Sequence, residues 1–256
     1  MNLSSTAASP PATAAAVAPA VTPLIPPEAL HPSLWRASQL ARSGTRCVDT
    51  GHAVLSSQLP GGGWPAGTLV ELLQQQPGIG EMRLLRPALQ ACAERRIVLL
   101  QPPHPPQALA LAALGLPPSQ LLWLRTSRSA DALWAAEQVL RSGSCGALLF
   151  WANHARGESL RRLHLAAQAG ETLFFMLRPL AAGQDASPAP LRLALRPAAG
   201  GMHIDFVKRR GPQRDAPLFL PLGLPLTSSL LQRHAFVDRS LATPAGARNL
   251  QPQLVQ

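Results

Sequence analysis

Short apolar runs alternate with segments of helical period through the middle of the sequence. The mostly apolar runs predict buried β-strands at residues 69–73, 97–100, 121–124, 147–151 and 173–177. Apolar residues at helical spacing predict helices that begin near Met82 and at residues 107–114, 129–141 and 158–169, with Ser129 as an N-cap. Such alternation predicts a parallel sheet covered by helices on both faces.

The pattern changes after residue 190. Residues 191–196 and 202–208 predict two strands joined by a Pro-Ala-Ala-Gly-Gly turn, which is typical of an antiparallel hairpin at the edge of a sheet. The predicted fold class is therefore α/β, with a three-layer core, a mostly parallel sheet, helices on both faces and an antiparallel edge hairpin. Residues 47–67 are predicted to form a loop because they contain three consecutive glycines and two prolines.

The strand at 69–73 runs into a turn with Pro77, Gly78 and Gly80 before the next helix. Strand, glycine turn and helix form the frame of a phosphate-binding loop, which needs the pattern G-x-x-x-x-G-K-[ST]. In that frame Gln75 replaces the first glycine, Glu81 replaces the lysine, and Met82 replaces the Ser/Thr that holds Mg²⁺. The sequence predicts a degenerate phosphate loop, formed by Gln75, Gly78, Gly80, Glu81 and Met82, and no nucleotide turnover.

Composition allows one substantial core with tails, since the chain has 256 residues of which 46% are hydrophobic. The formal net charge of +10 favours an anionic partner such as nucleic acid, although a general bias toward arginine would give the same excess. The single lysine, Lys208, does not follow a glycine loop, so the chain has no candidate Walker lysine.

Other chemistry is not indicated. Cys47, Cys92 and Cys145 form no C-x-x-C pair and are interpreted as free thiols in a reducing cytosol. His154 and His164 lack Cys or carboxylate neighbours at ligand spacing, so we expect no metal and no cofactor. The sequence contains no run of eighteen apolar residues, so no membrane span is predicted. The N-terminus lacks the charged region of a signal peptide, so none is expected.

Four segments are predicted along the chain. Residues 1–27, rich in Ala and Pro, are expected to be a disordered tail, and residues 28–44 an amphipathic helix. Residues 45–217 form the predicted core. Residues 218–256 are predicted to be a partner-binding arm or tail, whose candidate contact residues are Leu230, Leu231, Phe236 and Val237.

Several blocks of sequence resemble the core of RecA recombinases between residues 45 and 212, among them GGGWPAGTLVELL before the glycine turn. The chain is more similar still to the ImuA family, the RecA-like accessory proteins of bacterial damage-tolerance mutagenesis. Apart from the N-terminal tail, that resemblance is near full-length, and four blocks carry it: HPSLWRASQLAR, GGGWP, QQPGIGEMRLLRPAL and LRPAAGGMHIDFVKRRGP.

The resemblance implies a RecA-like core without its catalytic residues. The positions of the Walker lysine and the Mg²⁺ hydroxyl are Glu81 and Met82, and the Walker B aspartate falls on Trp151. The catalytic glutamate falls near Pro103, and Arg178 stands where a γ-phosphate-sensing glutamine is expected. Phosphoryl transfer depends on these charges, so the expected protein is not an enzyme.

The resemblance also implies a function in SOS-induced, error-prone translesion DNA synthesis. The implied partners are an ImuB-like Y-family adaptor and an error-prone C-family DNA polymerase subunit, in the cytoplasm and at the nucleoid during DNA damage. The alternative is a cell-division inhibitor of the SulA type, related to RecA, which binds the tubulin-like division GTPase.

Basic residues are the remaining candidates for contact. Lys208, Arg209 and Arg210 form a basic triplet at the end of the last predicted strand. In RecA proteins the matching basic residues face a neighbouring protomer and its nucleotide. Here they could bind DNA phosphate weakly, contact an acidic partner, or face only solvent. Arg161 and Arg162 lie on a predicted exposed helix face, with the same alternatives. The tryptophans are expected in the core or in interfaces.

Overall fold

The computed structural model describes residues 46–211 and 216–223. The predicted tail, the helix at 28–44 and the contact residues Leu230, Leu231, Phe236 and Val237 lie outside this part of the chain. Within it, no helix is long and apolar enough to cross a membrane.

Ten strands and five α-helices make up the described residues. The strands are β1 Cys47–Val48, β2 Trp64–Pro65, β3 Thr68–Gln74, β4 Arg96–Leu100, β5 Leu121–Leu124, β6 Cys145–Trp151, β7 Leu173–Pro179, β8 Leu191–Ala198, β9 Gly201–Lys208 and β10 Leu218–Pro221. The helices are α1 Ala53–Ser56, α2 Glu81–Ala91, α3 Ala108–Ala113, α4 Ser129–Ser142 and α5 Gly157–Ala167. Short 3₁₀ turns occur at Pro60–Gly62, Pro118–Gln120 and Leu180–Gln184.

Eight strands form one sheet in the order β10-β9-β8-β3-β7-β6-β4-β5. The neighbours from β8 to β5 pair in parallel, whereas β9 is antiparallel to β8 and β10 is antiparallel to β9. A separate two-stranded antiparallel ribbon joins β1 and β2. The predicted α/β class, with a mostly parallel sheet and an antiparallel edge hairpin, is confirmed.

Both faces of the sheet are apolar, as expected for a parallel sheet with helices on each side. On one face, Val70 and Leu72 of β3 belong to a cluster that includes Leu84 and Leu85 of α2. On the other face, Leu69 of β3 belongs to a second cluster, to which α4 and α5 contribute buried residues: Ala132, Ala136, Leu140, Leu160, Leu163, Ala166 and Ala167. Because side chains alternate along β3, this strand packs against a helix layer on each face of the sheet. The glycine turn follows directly after this packed strand.

The sheet extends beyond the hairpin. Strand β10 buries Leu218 and Leu220 against β9, although sequence analysis assigned both residues to the C-terminal arm. A Cβ atom on Gly201 would lie 2.2 Å from the carbonyl oxygen of Leu220, so glycine permits this close approach. Four residues are too short a pattern to predict a strand without knowing this neighbour.

Helix α4 differs in detail from its prediction. Its N-cap is Arg128, with no side-chain cap hydrogen bond, so the prediction of Ser129 as N-cap is wrong. The helix turns Ala132 and Ala136 toward the sheet and leaves Trp134 62% exposed. By contrast, Trp64 is fully buried, in an edge-to-face contact of 5.2 Å between its ring centroid and that of Phe175.

The segment at 47–67 is more ordered than a loop. It holds the β1–β2 ribbon and helix α1, connected through the glycines that motivated the prediction. A Cβ atom on Gly63 would lie 2.3 Å from the carbonyl oxygen of Val48, so the ribbon needs glycine for packing rather than for ligand contact.

Candidate functional site: a glycine turn filled by its own carboxylate

The carboxyl ends of β3, β4, β6 and β7 meet at a cavity of about 430 Å³. In α/β sheets this edge is the usual place for ligands. The glycine turn forms one wall through residues 74–77, and the residues that follow β4 and β6 form the others. The structure therefore brings together the segments that sequence analysis assigned to a degenerate nucleotide site.

Two glycines give the turn its shape. Gly78 has φ of 85° and Gly80 has φ of 113°, which are left-handed conformations that other residues rarely adopt. Gly80 is also the N-cap of α2, and Glu81 is the first residue of that helix. Backbone N–H groups in such a turn, next to the positive end of a helix, normally attract an anion.

The carboxylate of Glu81 occupies this position. The N–H of Gly78 donates to Oε1 over 2.7 Å, and the N–H of Gly80 donates to Oε2 over 3.1 Å. Glu81 is only 4% exposed, whereas Gly78 is exposed, so the carboxylate lies beneath the turn in a part-buried contact. A side chain of the chain itself thus takes the donors that a bound phosphate would need.

The other predicted loop residues do not join this contact. Gln75 is exposed on the wall of the cavity, and Met82 packs half-buried against the apolar cluster on the α2 face. Neither contributes a donor or acceptor to the glycine turn in the hydrogen bonds of the described residues. Gly78, Gly80 and Glu81 are therefore the part of the predicted set that forms one site.

Gly78, Gly80, Glu81 and Met82 do not line the cavity, whereas the remaining positions of the implied catalytic set do. Pro103, Trp151 and Arg178 line it, but no Asp or Glu does. Among residues 46–211 and 216–223, no three His, Cys, Asp or Glu side chains are grouped as metal ligands. The described walls of the cavity thus hold no side chain of the type that Mg²⁺ prefers.

Arg178 is held in place by acidic side chains below the cavity. Its Nη1 lies 3.2 Å from Oε1 of Glu71, and its Nη2 lies 3.3 Å from Oδ2 of Asp185. The side chain is 2% exposed. It therefore neutralises the buried carboxylate of Glu71 and also pairs with the exposed carboxylate of Asp185, a role that the comparison with a phosphate-sensing glutamine did not predict.

Glu71 is the centre of a buried network that sequence analysis missed. It is fully buried on β3 and accepts from Nε of Arg192 over 2.6 Å and from Oγ of Ser187 over 2.9 Å. Arg192 in turn donates to the backbone carbonyls of Ala182 and Asp185, over 2.7 Å and 3.0 Å. The network ties β3, β7 and β8 to the segment after β7 and stiffens the strand that carries the glycine turn.

Gln101, directly after β4, has an unusual backbone for a residue other than glycine, with φ of 55°. Its side-chain Nε2 donates to the carbonyl oxygen of Thr126 over 2.7 Å and to the Thr126 hydroxyl over 2.9 Å. These bonds hold a strained conformation at the rim of the cavity. The sequence does not indicate the strained backbone of Gln101, because the strain depends on contacts with the loop that follows β5.

Two members of the basic triplet at the end of β9, Lys208 and Arg209, are anchored to the body. Lys208 Nζ donates to the carbonyl oxygen of Ser187 over 2.9 Å. Arg209 donates to the carbonyl oxygen of Gln58 over 2.7 Å and stacks on the Phe206 ring, 5.0 Å from its centroid. These contacts give the triplet a structural use, and contact with DNA or a partner stays a prediction.

Arg210 faces a different part of the molecule. It lines a cavity at the amino ends of the strands together with His164. Burial lowers the pKa of His164, and the charges of Arg210 and Lys208 lower it further. This cavity lies at the opposite edge of the sheet from the glycine turn, so the triplet does not belong to the site above.

Arg161 and Arg162 are exposed on α5, as predicted. Arg162 is not a free cation, because it forms an ion pair with Glu137 of α4. Arg141 binds the same carboxylate over 2.9 Å. The hydrogen bond from Arg162 is the main cause that lowers the pKa of Glu137.

Fold and site together define an α/β protein with a glycine turn before helix α2, in which the carboxylate of Glu81 accepts from the N–H groups of Gly78 and Gly80. No family model matches the chain. Over 87 residues it is 34% identical to a protein named cell division inhibitor SulA from Edwardsiella piscicida, a match that covers 34% of this chain and 51% of the relative.

A second relative, also named cell division inhibitor SulA, comes from Photorhabdus laumondii subsp. laumondii. It is 33% identical over 112 residues, which are 43% of this chain and 63% of the relative. The chain thus spans between about half and just under two thirds of the curated relatives it matches. More than half of this chain lies outside each match taken by itself.

Proposed function

We propose that this protein is a non-catalytic α/β protein that acts by binding protein partners in the response to DNA damage. The contact of Glu81 with Gly78 and Gly80 carries the first part of the proposal. A nucleotide phosphate would have to displace this carboxylate and would then meet a negative charge where a lysine is needed. At ~4 Å and an effective dielectric near 20, such a repulsion is about 4 kcal/mol.

The remaining walls give a nucleotide no compensation. The described lining of the cavity offers no carboxylate for Mg²⁺, and both Nη atoms of Arg178 are already bound, by Glu71 and Asp185. Phosphoryl transfer needs metal and cation to stabilise the developing charge. The site therefore supports a protein that keeps the architecture of a nucleotide-binding fold but acts by binding partners at its surface and not by nucleotide turnover.

Inhibition of cell division is the first candidate for that use, and similarity to two proteins named cell division inhibitor SulA favours it. In this proposal the chain binds the tubulin-like division GTPase and stops division while DNA is damaged. Partner binding needs no nucleotide, in agreement with the filled glycine turn.

Expression of the full chain in undamaged rod-shaped bacteria tests this candidate. We expect filaments several cell lengths long, because division stops while growth continues, and microscopy measures the cell length. The Glu81→Ala variant is the matched control and should cause the same filaments, since the activity does not use the glycine turn. Cells of normal length with the folded protein present would contradict an inhibitor of division.

Translesion synthesis is the second candidate, favoured by the four ImuA-like blocks and by the limited share of the chain that each SulA match covers. The block LRPAAGGMHIDFVKRRGP includes all of β9 and the basic triplet. In this proposal the chain assembles with an ImuB-like Y-family adaptor and an error-prone C-family DNA polymerase subunit, and is recruited to the nucleoid.

Deletion of residues 224–256 tests the second candidate, because this segment contains the apolar residues predicted to bind a partner. All ten described strands and all five described helices end before residue 224. We therefore expect thermal unfolding to change by less than about 3 °C, roughly 1 kcal/mol for a domain of this size. Co-purification with an ImuB-like adaptor should be lost.

The result separates the two candidates. Full-length protein that captures the adaptor and causes no filaments supports translesion synthesis. A truncated protein that still captures the adaptor at full affinity contradicts the assignment of binding to the C-terminal arm. Failure of the full chain to capture any ImuB-like adaptor contradicts the second candidate itself.

A further inference from the structure

A cavity of about 340 Å³ lies at the amino ends of the strands, at the opposite edge of the sheet from the glycine turn. Thr68 at the start of β3 and Leu191 at the start of β8 contribute to its walls. A Cβ atom on Gly67 would lie 2.4 Å from the carbonyl oxygen of Gly170, so glycine lets the segments before β3 and β7 approach closely. Neither candidate function uses this cavity, which is large enough for a small ligand.

Basic side chains predominate in the cavity walls. Arg46, His164 and Arg210 line the cavity, whereas Glu171 is the one Asp or Glu among its described lining residues. Arg46 forms an ion pair with Glu171, so these two charges compensate each other. Arg210 is exposed and forms no hydrogen bond or ion pair with any described residue. The described walls thus hold one unpaired guanidinium.

Neutral hydrogen-bond donors line the same cavity. Thr68 is half-buried, and its hydroxyl bonds to no other described residue. Nδ1 of His164 accepts from the backbone N–H of Leu69 over 3.4 Å, which leaves the proton of the neutral ring on Nε2. This Nε2 lies 3.4 Å from the amide Nε2 of Gln168, an exposed residue at the end of α5. One cation with neutral donors matches an acceptor that carries a single negative charge.

The charges around His164 favour an anion at its ring. Burial lowers the pKa of His164, and the charges of Arg210 and Lys208 lower it further. The ring therefore lies in a positive potential, which an anion would relieve. Lys208 donates to the carbonyl oxygen of Ser187 and does not line the cavity. Arg210 is thus the cation that a ligand in the cavity can contact.

We propose that this cavity binds a carboxylate group, which accepts from the guanidinium of Arg210, the hydroxyl of Thr68 and the Nε2–H of His164. A carboxylate carries the one negative charge that a single guanidinium balances, and its two oxygens can accept from arginine as a bidentate pair. A more highly charged anion such as pyrophosphate would be repelled by Glu171 on the same wall. The carboxylate belongs either to a free small molecule or to an Asp or Glu side chain of a bound peptide. The inference does not depend on which of the two candidate functions holds.

Titration of the full chain with propanoate tests the proposal, at about pH 8, where the ring of histidine is ordinarily neutral. The ring C–H signals of His164 are the readout, and the His164→Gln variant assigns them. We expect a saturable shift of these signals. Propanamide, which has the same shape and no charge, should bind at least tenfold more weakly. Inorganic pyrophosphate should not displace propanoate.

Variants of the two other donors locate the binding. Arg210→Gln should weaken propanoate at least tenfold, because the unpaired cation of the described walls is lost. Thr68→Val keeps the shape of the side chain and removes only the hydroxyl, so it should weaken propanoate about tenfold. Both variants should remain folded, since neither side chain bonds to another described residue.

Arg125→Gln is the matched control, because it removes the same charge elsewhere. Arg125 is exposed directly after β5, at the carboxyl edge of the sheet. Its substitution should leave the affinity for propanoate unchanged. Equal weakening in Arg125→Gln and Arg210→Gln would show that only the net charge of the protein matters, and would overturn the proposal.

The pH dependence of binding tests the contact with His164. A carboxylate beside the imidazole favours the protonated ring, so bound propanoate should raise the pKa of His164, and affinity should rise as the pH falls through that pKa. His164→Gln cannot titrate and should remove this rise. The other charged or titratable groups around the ring are those of Arg46, Cys47, Glu171, Lys208 and Arg210. An unchanged rise in His164→Gln would assign the pH dependence to these groups and overturn the contact with His164.

The source of the carboxylate is separated by a second probe, the capped tripeptide glycyl-aspartyl-glycine. Binding as tight as that of propanoate, weakened in Arg210→Gln, assigns the cavity to a peptide side chain. Binding of propanoate alone assigns it to a free small molecule. No saturable shift with either probe, equal binding of propanamide, or displacement of propanoate by pyrophosphate would overturn the proposal.

Discussion

Replacement of Glu71 by glutamine is expected to lower the free energy of unfolding by about 3–5 kcal/mol, the usual cost of removing one partner from a buried ion pair. Glu71 is fully buried and accepts from two buried guanidinium groups. Without its charge, Arg178 keeps Asp185, but Arg192 keeps only neutral carbonyl acceptors. The loss arises because a buried cation is left without a counter-ion.

Urea unfolding measures this loss, and Glu158→Gln supplies the matched control. Glu158 lies exposed in the first turn of α5, so its substitution should stay within about 0.5 kcal/mol. A triple variant, Glu71→Leu with Arg178→Met and Arg192→Met, should recover most of the loss, because apolar residues of similar size replace buried ion pairs well. A loss below 1 kcal/mol in Glu71→Gln would show that the network is not needed for stability.

Periodicity was sufficient to predict the sheet and the helices on both of its faces. The buried runs of β4 and β6 are apolar throughout, and that of β7 is apolar as far as Arg178, because helices cover both faces. The glycines of the turn mark a backbone that other residues rarely adopt. The frame of the candidate site was therefore predictable. Strand β10 was not, since its few residues acquire their pattern only by pairing with β9.

The chemistry of the site was less predictable because its partners are distant in sequence. Glu71 and Arg192 are separated by 121 positions, and nothing in the run TLVELL indicates that its glutamate is buried. Sequence analysis places Glu81 at the lysine position of the loop pattern, but its role as an acceptor for Gly78 and Gly80 follows from the turn geometry. Sequence thus predicted which residues were missing and could not predict what replaced them.

The second large effect is expected in the Glu81→Ala variant, because Glu81 occupies the N–H donors of the glycine turn. Two hydrogen bonds to a charged acceptor are lost, so we expect the free energy of unfolding to fall by about 1–3 kcal/mol. The same change exposes the N–H groups of Gly78 and Gly80 at the start of α2. Pyrophosphate should then bind to the variant and raise its unfolding temperature, whereas the wild-type protein should not respond.

Thermal unfolding over a pyrophosphate series measures the effect. At one hundred times the dissociation constant, a ligand of the folded state adds about 2.7 kcal/mol, enough to restore the stability lost with the carboxylate. Glu158→Ala, which removes another first-turn glutamate that does not contact a glycine turn, should gain no response. ATP hydrolysis should stay absent in every variant, since no lysine follows the turn and the described cavity lining has no carboxylate. An equal pyrophosphate response in the wild-type protein would show that Glu81 does not close the anion position.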